Sequence, residues 1–203
     1  MIFTAMSDGR FDLGGRWCDC ALGREGVVPA AEKREGDGCS PLGVWPVRRV
    51  LYRPDSAFAT LPALTTLGVP CAPIAPDDGW CDAPGDPRYN RPVKLPYPAS
   101  AERMWRDDHL YDIVVVLGHN DDPVTPLMGS AIFLHLAKPD YSGTEGCVAL
   151  QAGDMIELLS KLQEGSAVSI VDAYPHPMMA APEQAAALKP GSGLRPFPRA
   201  KQG

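Results

Sequence analysis

The chain has 203 residues, 45% of them hydrophobic, and a formal charge of −6. That length suits one domain with residues to spare for a long loop or tail, and an acidic chain is ill-suited to holding nucleic acid or anionic lipid through bulk charge. No stretch reaches the ~18 consecutive apolar residues of a membrane span, and the opening MIFTAMSDGRFDLGG has neither the basic start nor the apolar run of a secretory signal.

In chain order, RFDLGGRWCDCALG reads as two short extended runs around Gly14-Gly15, a hairpin signal. Alternation puts Cys18 and Cys20 on one face of the second run, as small core residues. Residues 24–46 are rich in Gly, Pro and charge and are expected to form a long ordered loop, ending in a strand over Val47–Tyr52. Residues 54–100 are dense in proline, which argues against regular helix and central strand. Trp80, Tyr89 and Tyr97 argue for a loop that packs, since disordered segments are usually poor in aromatics. A local excess of positive charge runs from Asp86 to Arg106, with a solvated surface favoured over a carboxylate site.

Two stronger strands follow. DIVVVLGHN (112–120) is the β-branched run of a buried central strand, and SAIFLHLA (130–137) is expected to pair with it antiparallel. Met155, Ile156, Leu158, Leu159 and Leu162 then recur on one helix face, with Gly165 as the stop. AVSIVDA (167–173) reads as a last strand and 174–203 as a Pro/Ala-rich tail. The sum is mainly β with one good helix. The six cysteines include one C-x-C pair, too tight for zinc, and four scattered ones. No metal is therefore expected, and disulfides stay open.

One constellation carries chemistry. His135 sits at the end of the second strong strand, where a buried imidazole needs a partner for each ring nitrogen. Twelve residues on, Cys147 lies in GTEGCVAL, placed by the sequence just ahead of the helix. A helix N-terminus and a neighbouring imidazole both lower a thiol pKa, and the thiolate is the nucleophile. The N–H groups of Glu145, Gly146 and Cys147 form a candidate oxyanion hole. From the residues alone, a structural cysteine near an unrelated histidine is the alternative. His109 and His176 have no cysteine at such spacing. His119 ends the neighbouring strand and is a candidate for the same pocket. Asp121-Asp122 reads as turn capping.

A strand ending in His, then a loop, then Thr144-x-Gly146-Cys147 and an apolar run, resembles the signature of the YkuD-type L,D-transpeptidase catalytic domain. The Gly/Pro loop before the Val47–Tyr52 strand is similar to another segment of that family, and the likeness spans about residues 10–173. It implies a mainly β, YkuD-like sandwich or barrel with one or two helices, a single catalytic domain over 1–173, and residues 54–100 as a capping loop. It further implies Cys147 as nucleophile, His135 as base and the Leu136 carbonyl as the group that orients the ring. Thr144, His119, Trp80, Tyr89, Asn90 and Arg91 become expected substrate contacts. The expected partners are peptidoglycan stem peptides, donor and acceptor, on a monomer in the periplasm, with no cofactor and with carbapenem sensitivity. Two departures stand out. Glu145 stands where many members have His, and Ala149 where many have Arg or Asn, which leaves room for 1,3-type as well as 3,3-type crosslinks. Hydrolysis of stem peptides and a non-catalytic wall-binding module are the rival readings.

Overall fold

The computed structural model describes residues 1–174; the expected tail therefore lies, but for Tyr174, outside the described residues. In chain order the elements are β1 Ile2–Met6, β2 Arg10–Asp12, β3 Trp17–Asp19, β4 Val27–Pro29, β5 Ser40–Tyr52, a 3₁₀ turn Ala57–Thr60 and α1 Ala63–Thr66. There follow β6 Cys71–Pro73, β7 Asp78–Cys81, β8 Arg91–Lys94, β9 Ala101–Arg103, β10 Ile113–Leu117, β11 Phe133–Leu136, β12 Val148–Leu150, α2 Ala152–Lys161 and β13 Ala167–Val171. The fold is mainly β, as expected.

The main sheet runs β12-β11-β10-β5-β13-β1-β2-β3, with β4 and β6 added along β5. Its two ends meet. Ala21, just past β3, exchanges both backbone hydrogen bonds with Ala149 of β12 (2.9 and 2.8 Å). This closes the sheet into a nearly complete barrel, so that few backbone groups of its edge strands are left unpaired. The all-apolar β10 is buried at every position, because strands cover both its edges and side chains both its faces. Its antiparallel pairing with β11 and the β2–β3 hairpin are as expected.

Four expectations need correction. The strand at Val47–Tyr52 begins earlier, at Ser40. Its first half is recruited by β4 and β13, which supply partners that the local Gly and Pro composition does not reveal. The proline-rich segment is not all loop: β7 and β8 join β9 in a second, three-stranded sheet ordered β8-β7-β9, and β6 lies along β5. The prolines are accommodated because Pro92 sits on the edge strand β8 and Pro73 at the end of β6. Of the expected helix face, Met155, Leu158, Leu159 and Leu162 are buried but Ile156 is exposed, and α2 stops at Lys161, before Gly165. Finally, Cys147 does not precede the helix: β12 intervenes, pairing parallel with β11. All six cysteines are free thiols.

Candidate active site

The β11–β12 pairing positions the site. It sets His135 against Ala149 and brings the start of β12, with Cys147 before it, beside the β11 strand. His135 is buried, and its Nδ1 lies 2.8 Å from the Leu136 carbonyl oxygen. A carbonyl only accepts, so Nδ1 carries the proton and Nε2 keeps a lone pair. Burial pulls the imidazole pKa down to about 4, so the ring is neutral. The Tyr111 ring packs against it edge-on at 5.2 Å.

The loop carrying Cys147 is strapped from three sides. Thr144 N–H donates to the Leu22 carbonyl and Arg24 N–H to the Thr144 carbonyl (both 2.8 Å). Thr144 Oγ1 donates to the Cys147 carbonyl (2.7 Å), and Ser40 Oγ to that of Gly146 (2.8 Å). Gly146 has φ +128°, and a Cβ there would fall 2.7 Å from the Cys39 carbonyl oxygen, so only glycine fits. Cys147 itself is buried. Its Sγ accepts from the Phe133 N–H (3.4 Å) and donates to the Ala131 carbonyl (3.2 Å). Burial pushes its pKa up to about 12, with the Glu102 carboxylate adding to the rise. The expected depression of the thiol pKa is thus overturned, since the helix dipole is absent and desolvation dominates.

Cys147 and His135 line one cavity of about 580 Å³. Thr144 and Glu145 are at its wall, Glu145 exposed and ion-paired with Arg24. Gly146 N–H donates to Thr144 Oγ1 (3.1 Å), which removes it from the expected oxyanion trio in this geometry. The remaining expected contacts are elsewhere. Trp80, Asn90 and Arg91 border a separate depression of about 380 Å³ with Arg48 and Asp121. Trp80 packs edge-on against Phe133 at 5.0 Å, and Asn90 is buried. The Tyr89 hydroxyl donates to Glu35. The buried His119 ring packs on Trp45, with Nε2 at 2.9 Å from the Met128 carbonyl. Trp80, Tyr89 and Asn90 turn inward and fasten the small sheet to the barrel, whereas His119 packs on Trp45 of β5.

The cavity holds polar residues that the sequence reading did not single out. Tyr111 Oη donates to Glu102 Oε1 (2.7 Å), which also faces Arg106 (3.4 Å). Burial raises the Glu102 pKa. Arg106 is held in turn by Asp108 and stacks over Tyr111 at 5.0 Å. The charged run at 86–106 was the available signal, but its partner Tyr111 lies beyond it.

Fold and site together describe a nearly closed β barrel that presents a thiol and an imidazole, both buried and uncharged, in one cavity. The family model of the L,D-transpeptidase catalytic domain, YkuD, matches residues 3–170, and the chain belongs to that family. No curated protein and no solved structure matched it.

Proposed function

We propose that the protein is a peptidoglycan L,D-transpeptidase acting through a Cys147 thioester. The observation that carries this reading is the sharing of one cavity by Cys147 and His135, with His135 Nδ1 tied to the Leu136 carbonyl so that Nε2 is left as the base. In the first half-reaction Sγ attacks the carbonyl of an L-centre in a donor stem peptide while the thiol proton passes to His135 Nε2. The proton then goes to the departing D-residue amine as the C–N bond breaks. In the second half-reaction an acceptor stem's amine attacks the thioester, His135 takes its proton, and the thiol re-forms. Both groups rest neutral, so His135 Nε2 has a lone pair free to receive the thiol proton when sulfur attacks. Backbone N–H groups around Cys147 are the donors available to the oxyanion once substrate is seated. The site of action is the periplasm, where stem peptides are found.

The test is to incubate the protein and Cys147→Ala with disaccharide-tetrapeptide muropeptides and identify products by liquid chromatography and tandem mass spectrometry. Cysteine-dependent dimers support the reading, and their fragmentation places the bond at diaminopimelate (3,3) or at L-alanine (1,3). Cysteine-dependent shortened monomers replace it with a carboxypeptidase or endopeptidase. No cysteine-dependent product overturns it in favour of a wall-binding module.

A further inference from the structure

The Cys147 thiol makes its hydrogen bond to the Ala131 carbonyl, and Ala131 is held in an unusual backbone conformation, φ +52°. An L-residue with a Cβ adopts that region only when its surroundings impose it. The surroundings here centre on Asn90. Its Oδ1 accepts from Ala131 N–H (3.1 Å) and from Trp80 Nε1 (2.9 Å). Its Nδ2 donates to the carbonyls of His119 (3.1 Å) and Asn120 (2.7 Å). Both donors and the acceptor oxygen are in use, so the amide has one orientation only. The residue is 3% exposed and itself sits at φ +55°, a region Asn tolerates better than most side chains. No other short side chain offers that backbone, an acceptor and two donors at once. Asp lacks the donors, and Gln is a methylene longer. Asn90 belongs to the turn entering β8, and Ala131 to the segment entering β11. The amide thus joins the small sheet to the strand that carries the base.

We propose that Asn90 is a positioning residue: by holding the Ala131 N–H it fixes that residue's left-handed backbone, so that the carbonyl on the other side of the Ala131 Cα holds the Cys147 thiol between turnovers and keeps the sulfur in register with His135. The catalytic part of this proposal rests on the thioester reading above; the clamp on the thiol does not. In turnover the S–H leaves the Ala131 oxygen, its proton passes to His135 Nε2 as the S–C bond forms, and both return when the thiol re-forms. With Ala131 unclamped, its carbonyl releases the thiol, which makes the thiol easier to ionise but no longer places it for attack. The two effects have opposite signs in two measurements.

The experiment compares wild type, Asn90→Gly, Asn90→Asp and Asn120→Gly. Glycine retains the left-handed backbone at either position while deleting the side chain. Asn120, at φ +47°, bonds Thr125 and Gly129 but not Ala131, and so controls for loss of loop stability. Iodoacetamide labelling of Cys147 is followed against pH by mass spectrometry, with kcat and KM on muropeptides. For Asn90→Gly the labelling midpoint is expected to fall by about one pH unit, with labelling roughly tenfold faster at pH 7.5. Its kcat is expected to fall roughly tenfold with KM within about twofold. Asn120→Gly is expected to leave the midpoint in place. Asn90→Asp retains the acceptor for Ala131 N–H and is expected to label within about threefold of wild type, which keeps the proposal testable should the glycine variant not fold. The proposal is overturned if the two glycine variants behave alike, or if Asn90→Asp shifts the midpoint as far as the loss of the side chain. A midpoint shift without turnover by wild type on any stem peptide upholds the clamp and sinks the transpeptidase reading instead.

Discussion

His135 has one ring nitrogen occupied by a carbonyl and most of its ring buried, with Nε2 facing the cavity, and this fixes how it responds to acid. An unfolded histidine titrates near pH 6.5, whereas folded His135 is pulled down to about 4 by burial. Between those values the unfolded chain binds a proton that the folded chain refuses. Its contribution is therefore intact above pH 6.5 and is lost as pH falls toward 4, by roughly 3 kcal/mol. Urea unfolding between pH 7.5 and 4 should show that loss, and His135→Asn, which retains a donor for the Leu136 carbonyl, should reduce it. An unchanged slope would assign the acid sensitivity to other groups. Cys147 responds in the opposite direction, since burial raises its pKa to about 12. Native Cys147 should label with iodoacetamide at least about tenfold more slowly at pH 7.5 than in urea, because the thiolate fraction sets the rate. Fast native labelling would contradict the buried thiol. Slow labelling at rest is thus no argument against an enzyme here. The expectation of a lowered thiol pKa rested on placing the thiol at a helix end, where β12 intervenes instead.

Among the elements, the turn before β12 is the most constrained. Gly146→Ala would place a Cβ 2.7 Å from the Cys39 carbonyl oxygen at φ +128°. We expect a loss of about 3 kcal/mol from strain and overpacking together, with peptide turnover falling more than stability explains, as read by thermal unfolding and kcat. Retained activity in a folded Gly146→Ala would show that the turn can relax. Of the motif residues around this turn, Gly146 was legible from the tight turn it permits, whereas Thr144 was legible only through the family resemblance; its bond to the Cys147 carbonyl is seen only in the fold. The three-residue β12 was not legible, because Val148–Leu150 is too short to show alternation and is a strand only through its parallel partner. The same holds for β7 and β8, whose pairing accommodates prolines that locally argue for loop. The hairpin at Gly14-Gly15, the β10 strand and α2 carried their own signals in turn chemistry, β-branching and helical period.

For the whole molecule, the decisive contact is the barrel closure between Ala21 and Ala149, the latter two residues from Cys147 and directly opposite His135. Ala21→Pro removes the N–H that donates to Ala149 (2.9 Å) and leaves that carbonyl without its partner. We expect it to cost about 2–3 kcal/mol by urea unfolding and to lower turnover at 25 °C well beyond the change in folded fraction. A barrel that stays fully active would mean that closure does not position Cys147. A core substitution remote from the site, Met155→Ala on the buried face of α2, should cost roughly 2–5 kcal/mol while leaving kcat of the folded protein unchanged. By itself the sequence determined the mainly β class, the strong strands, the amphipathic helix and the Cys147–His135 motif, all of which rest on local spacing and on a family signature. Only the tertiary structure decided which aromatics and amides are structural, which polar side chains meet at the cavity, and how both reactive groups are ionised. Trp80, Tyr89 and Asn90 turn inward and fasten the small sheet, His119 packs on Trp45, and Glu102, Arg106 and Tyr111 converge from β9 and the segment entering β10. Such convergences and the desolvation they create depend on residues far apart in the chain, so no local pattern encodes them.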